Sequence, residues 1–454
     1  MKKLLVLIVI LQFGEIYSQK STVPDKESYE YFLDFFTSRD SGIHQTALNY
    51  IDRNWSDHFE ILAIESLYFL KSPSTSQKLM RILERKTKKY YSYDFDSWYD
   101  YIWNKKQTYL PSYFIFKATL HRGIDNRFAK YFLDRDTQST IRLDEVRWGG
   151  VIQDGIPPLR NPEMIQASQA TYLDDDNIIF GISINGDTRA YPKRILAWHE
   201  MFTDKVGGVD VAGVYCTLCG TVILYKTEKD GIKYELGTSG FLYRSNKLMY
   251  DKKTQSLWNT LWGKPVLGPL VGKRIALDYL SVVTTTWGEW KKRHPETKVL
   301  SLNTGHRRDY GEGIAYKDYF ATDDLMFTIP STDRRLKNKQ EILAIRLPDK
   351  TEENIAISSK FLRKNHIYEG TINNQNFVVF TDKSGAHRVY FSEGITFTSY
   401  DQESAVIDTS GNSWSLDENH MKNITSNKIL KRLPTHNAFW FGYKAAFPKV
   451  KLIK

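Results

Sequence analysis

At 454 residues, with 41% apolar and 14% aromatic side chains, the chain is long enough to bury two ordinary cores and to form two or three domains. Its formal charge of +10 is a mild excess for that length, too small to argue for a nucleic-acid partner. Only two cysteines are present, which excludes a scaffold held together by many disulfides.

The chain opens MKKLLVLIVILQFGEIYSQK. Lys2 and Lys3 precede an apolar run from Leu4 to Phe13, and Ser18 before Gln19 offers a cleavage point, so residues 1–18 read as a secretory signal. The run is shorter than the roughly 20 apolar residues a spanning helix needs, and no later stretch reaches that length. The mature chain is therefore expected outside the cytoplasm, periplasmic or secreted, without a transmembrane helix. Losing Lys2, Lys3 and Glu15 leaves a formal charge of +9.

From Glu27 to about Asp134 apolar residues recur at three and four positions, as in Tyr31, Phe32, Phe35 and Phe36, and again in Ile61, Leu62, Ile64, Leu67 and Leu70. That period predicts helices, broken at SRDSG (38–42) and KSPSTS (71–76) by turn and N-cap residues. Residues 24–135 are read as a helical, repeat-like N-terminal domain. RILERKTKKYY (81–91) carries a basic cluster on a helical pattern, a solvated face by default. The aromatic stretch 90–116 suits either packing between helices or a platform for a glycan or a partner protein.

After Asp136 the texture changes to short β-rich runs punctuated by Gly, Pro, Asp and Asn, among them 177–191, 208–215, 220–226 and 377–391. Asn185-Gly186 marks a tight hairpin, and TTWGEWKKRH (285–294) the clearest helix. STDRRLKNKQE (331–341) reads as a surface connection. Residues 136–454 are thus expected to form one large β-rich domain, and the chain an α+β protein; no alternation of strands with long helices supports a dinucleotide-binding fold.

Cys216 and Cys219 stand in AGVYCTLCGTVILY at a strand-to-turn junction, where C-x-x-C spacing aims both sulfurs at one place and suits a metal ion or a reversible disulfide. A structural staple is disfavoured: closing a loop of about four residues gains only ~2 kcal/mol, against ~3 for fifteen. Two cysteines cannot close a tetrahedral site. His199 and Glu200, in RILAWHEMFTD across a VGG turn, supply the nearest further ligand, and His199 with Cys216 and Cys219 makes a soft set suited to zinc or copper. If the pair is instead a redox dithiol, His199 as imidazolium would hold a thiolate.

Five segments in order, RLDEVRWGGVIQDGIPPL (142–159), NGDTRAYPKRILAWHEMFTD (185–204), VYCTLCGT (214–221), GTSGFLYRSNKLMYDKKTQSLWNTLWG (237–263) and HNAFWFGYKAAFP (436–448), resemble the uncharacterised prokaryotic family catalogued as domain of unknown function 3179. The resemblance runs from about Arg142 to Pro448 and leaves the helical part outside. It implies that the Trp198-His199-Glu200 and Tyr215-Cys216-x-Leu218-Cys219-Gly220 segments are shared by the family. Thr217 and Thr203 depart from its pattern, where proline and asparagine are more usual.

Other polar residues in these segments are candidates of a weaker kind. Asp154, before Ile-Pro-Pro, would face a pocket or cap a turn, and with Glu200 or Asp251 would serve a hydrolase as acid and base. Arg244, Asn246 and Asp251 alternate with apolar residues, so an inward set would bind an anion or form a buried ion pair. Ser239 and Ser256 lack a G-x-S-x-G setting, and no H-E-x-x-H, P-loop or G-x-G-x-x-G occurs. The sequence thus favours an exported protein with a metal or dithiol site at Cys216, Cys219 and His199, over a non-catalytic glycan- or protein-binding module clipped by a local disulfide.

Overall fold

The computed structural model describes residues 26–106, 110, 112–132, 138–347 and 350–454; the expected signal segment 1–18 lies outside them. Helices fill the first part, at Ser28–Thr37, Ser41–Arg53, His58–Phe69, Pro73–Thr87, Phe95–Trp103 and Ser112–Arg122. The local chemistry matches the expected breaks. Asp40 caps the second helix through Gly42 N–H, and Pro73 occupies the first turn of the fourth, where its missing N–H costs nothing. The third helix is buried on every side from Phe59 to Leu67, Glu60 and Glu65 included, and so forms the axis of the bundle.

The aromatic stretch packs inward. Trp98, Tyr99, Ile102, Trp103, Tyr113 and Phe116 are buried, while Tyr90 and Tyr93, 75% and 50% exposed, make no stacked pair with one another. The packing reading therefore accounts for the stretch, and no row of coplanar exposed rings is seen among its described residues.

From Val146 to Ile453 the chain is β-rich, as expected, and folds as several sheets. The first is an antiparallel sheet ordered Val146–Trp148, Leu236–Tyr243, Asn246–Asp251, Leu257–Asn259, Lys264–Leu267. A second places Thr221–Lys226, Val209–Cys216 and Met201–Val206 side by side, flanked by Tyr279–Leu280 and Leu159–Arg160. A third contains the hairpin Ile178–Ile184/Asp187–Pro192, turned at Asn185 and Gly186, both with positive φ, as the Asn-Gly pair predicts. Beyond residue 340 a four-stranded sheet, a three-stranded sheet and a five-stranded meander over 397–431 follow.

Helices and strands share one core. Phe32, Ile64, Trp98 and Phe116 belong to the same buried cluster as Val146, Phe241, Leu248 and Tyr250 of the first sheet. Inside this junction Lys117, 1% exposed, donates to Glu65 Oε1 at 2.5 Å and to the Val146 carbonyl at 3.0 Å, and Tyr113 donates to the same carboxylate. No helix among the described residues is long and apolar enough to cross a membrane.

Candidate functional site

The cysteines occupy the tip of a β-hairpin. Cys216 ends strand Val209–Cys216 and pairs with Thr221 at the start of Thr221–Lys226, so residues 217–220 make the turn. Cys219 N–H donates to Cys216 O and Gly220 N–H to Thr217 O, which closes the knuckle and brings the two sulfurs within 3.0 Å. Gly220 has φ +55, and a Cβ there would meet the Phe439 ring at 2.7 Å. Gly220→Val is accordingly expected to cost at least 1–2 kcal/mol, from left-handed strain alone, read as a lowered denaturation midpoint.

Glu200 arrives through the neighbouring strand. The helix Lys193–His199 stops at Glu200, whose φ of 55 turns the chain into strand Met201–Val206. Met201 pairs with Val214, and Tyr215 N–H donates to Glu200 O, so the register carries Glu200 to the hairpin tip. Its Oε1 accepts from Thr217 Oγ1 and from Tyr316 OH, each at 2.8 Å, and its Oε2 pairs with Lys247. All four side chains border a small cavity, ≈ 60 Å³, that Cys216 also lines.

The two thiols are unlike. Cys216 is 3% exposed and faces the cavity; Cys219 is fully buried behind it, close enough to Gly442 that a Cβ there would sit 3.2 Å from its sulfur. Burial pushes the Cys216 thiol up, but the S–H of Cys219, the backbone N–H of Lys247 and the Lys247 charge favour its thiolate and hold it below the ordinary 9.0. Burial, then the neighbouring Cys216 sulfur, raise Cys219 well above that value. With both protonated, Cys216 Sγ donates to Cys219 Sγ, and Cys219 Sγ to Ser245 O at 3.3 Å.

His199 does not join them. Its Nδ1 lies 2.8 Å from Pro157 O and its Nε2 2.6 Å from Tyr310 OH. A carbonyl can only accept, so Nδ1 carries the proton and Nε2 accepts from Tyr310, whose hydroxyl meets Thr304 Oγ1 at 2.6 Å. Burial keeps the ring neutral, its pKa lowered to about 4, so it is no imidazolium partner for a thiolate near neutrality. The expected ligand set of His199, Cys216 and Cys219 is corrected on this point: among the described residues no group of three or more His, Cys, Asp or Glu side chains is placed to hold a metal ion. The left-handed turn at Glu200 is the reason, for it sends residues 199 and 200 to different sides of the chain.

The remaining candidates are each engaged in local structural hydrogen bonds or ion pairs, and of them Asn246 lies beside Cys219, across Gly442. Asp154 accepts from Thr238 N–H at 3.0 Å and from Tyr250 OH at 2.6 Å. Arg244 pairs with Glu145, not Asp251, and donates to Ala445 O. Asn246 donates to Gly442 O, and Asp251 accepts from Thr254 N–H and Oγ1 in its own turn. Arg244, Asn246 and Asp251 therefore do not converge on one ligand. Lys247 and Tyr316, which sequence reading passed over, do reach the site. Lysine in the apolar strand NKLMYD carries the usable signal, because an uncompensated lysine is rarely buried; Tyr316 comes from a loop and carries none.

A wider cleft, ≈ 640 Å³, lies next to the cavity, and Val151, Ile156 and Tyr316 border both. Its floor includes Pro157, Ala197 and Trp198; Arg307 and Arg308 stand on its rim. The hydrogen-bonded series Thr304, Tyr310, His199 and Pro157 ties that rim to the floor.

Against known proteins, the model of the family described as "Protein of unknown function (DUF3179)" matches residues 153–450. No curated protein and no solved structure matches the chain.

Proposed function

The chain belongs to the DUF3179 family, and we propose that Cys216 and Cys219 form a redox dithiol, with Cys216 as the attacking thiolate and Cys219 as the resolving thiol. The asymmetry of the two sulfurs carries this reading: one is cavity-lining with its thiolate favoured, the other is enclosed, 3.0 Å away and held protonated. In the forward direction the Cys216 thiolate bonds to the electrophilic atom of a two-electron oxidant and breaks its weak bond. The leaving group takes up a proton, for which Lys247 and the hydroxyl of Tyr316 are the donors at hand. Cys219 then loses its proton and displaces the adduct from Cys216, forming the S–S bond while the reduced oxidant departs with both electrons. Export of the mature chain, proposed from Lys2, Lys3 and the apolar run after them, would put the pair in a compartment where dithiols meet oxidants.

Zinc or copper held by the two sulfurs is the weaker proposal. It would need further donors, and the nearest carboxylate, Glu200, is committed to Lys247, Thr217 and Tyr316. A glycan-binding surface in the helical part is weaker still, since its exposed rings, Tyr90 and Tyr93 among them, form no stacked platform.

The test is alkylation of the reduced protein with iodoacetamide as a function of pH, followed by mass mapping. Cys216 should be modified first, with a midpoint below the ordinary 9.0, and Lys247→Met should move that midpoint upward. Oxidation with hydrogen peroxide, small enough for the cavity that Cys216 lines, should remove both free thiols and two hydrogens of mass. Failure to form the Cys216–Cys219 disulfide, or stoichiometric metal that survives dialysis and blocks alkylation, would overturn the reading.

A further inference from the structure

From the two adjoining spaces we infer that the oxidant is an organic hydroperoxide bearing an acidic group, bound across the cleft with its peroxide end in the inner cavity. The inference rests on the dithiol reading of Cys216 and Cys219 and adds the substrate class.

Size comes first. At ≈ 60 Å³ the inner cavity admits a few water-sized groups, at roughly 10–30 Å³ each, so the atom that Cys216 attacks must lie at or next to the end of its molecule. A terminal –O–OH meets that condition with two oxygens. A disulfide does not, because each sulfur carries a carbon chain and the small cavity would have to find room for a chain on both sides of the attacked bond. The outer cleft, at ≈ 640 Å³, falls in the range of about 300–1,000 Å³ usual for sites that hold an organic molecule.

Charge and polarity fix the rest. The floor of the cleft is apolar, with Ile156, Pro157, Ala197 and Trp198 along it. Its rim carries Arg307 and Arg308, both exposed. Arg308 donates to the Arg307 carbonyl, and neither guanidinium is ion-paired with a described carboxylate. Asp309 lines the same cleft, its Oδ1 accepting from Gly311 N–H, so two guanidiniums against one carboxylate leave the rim with an excess of positive charge. Two guanidiniums above an apolar floor suit a body of carbon ending in a carboxylate, sulfonate or phosphate.

The reaction balances within the site. The Cys216 thiolate attacks the terminal oxygen of R–O–OH; the O–O bond breaks, RO⁻ takes a proton to become ROH, and Cys216 becomes the sulfenic acid S–OH. Cys219 attacks that sulfur, the S–O bond breaks, and hydroxide leaves with the proton of Cys219 as water. Two thiols and one hydroperoxide thus give one disulfide, one alcohol and one water.

The experiment is single-turnover oxidation of the reduced full chain, following thiol loss and mass, with para-carboxy-cumene hydroperoxide against cumene hydroperoxide. The acid is expected to react about tenfold faster at low ionic strength. That ratio should fall toward one in Arg307→Ala/Arg308→Ala and at high salt. Both arginines are exposed, so the variant keeps its fold. A ratio near one in the unaltered protein, with the disulfide still forming, would overturn the substrate class and leave the dithiol standing. No disulfide with either organic hydroperoxide or with hydrogen peroxide would overturn both.

Discussion

Replacing Cys216 by serine is expected to abolish oxidant-driven disulfide formation and lower the rate of first oxidation by at least about a hundredfold, whereas Cys219→Ser should leave the first step and arrest the second. The reason lies in the site's geometry. Cys216 borders the cavity and receives the Lys247 backbone N–H, and Cys219 has no such opening. In Cys219→Ser, Cys216 would stop as a sulfenic acid, read in the intact protein as a mass gain of one oxygen atom. The Cys216→Ser protein should show no such gain. Equal behaviour of the two variants would remove the assignment of roles.

Lys117→Met is expected to destabilise the protein by about 3–5 kcal/mol, because it leaves the Glu65 carboxyl buried without its cation. Glu65 is enclosed on all sides, and burial already raises its pKa above the ordinary 4.5 despite Lys117 and Tyr113. Without Lys117 the carboxyl will stay protonated in the folded state to a higher pH than in the unfolded one. Folded protein then binds more protons than unfolded above about the ordinary value, so stability falls as pH rises through that window. The loss should therefore be small at acid pH and grow toward neutrality. Glu65→Leu/Lys117→Met should recover most of it, as apolar replacement of a buried pair commonly does. Urea unfolding followed by tryptophan fluorescence provides the measurement, and equal losses in the single and double variants would show that packing rather than charge is responsible.

Much of the architecture was legible from periodicity. Three-and-four spacing located the helices before residue 134, and Asn185-Gly186 located a hairpin turn, because both signals are local. The knuckle at Cys216 and Cys219 was legible for the same reason. Its companions were not. The register of two strands brought Glu200 to Cys216 and a left-handed backbone at a glutamate sent His199 away; nothing in the side chains announces either event. Arg244 found its carboxylate at Glu145, 99 residues upstream, a pairing that spacing cannot express. The separation of helical and β-rich parts along the sequence also concealed that their side chains interleave, since a core between segments is a matter of three-dimensional contact.

That interleaving bears on where the polypeptide can be cut. The family match begins at residue 153, yet strand Val146–Trp148 completes one margin of the first sheet and the helices cover its apolar face at Phe241, Leu248 and Tyr250. A fragment trimmed to the matched span would bare the backbone donors and acceptors of Phe241–Tyr243 together with a greasy surface beside them, the combination that drives strangers' strands to stick. In this chain the amino-terminal helices thus cover the sheet whose turn at Ser245 lies against the Cys219 sulfur.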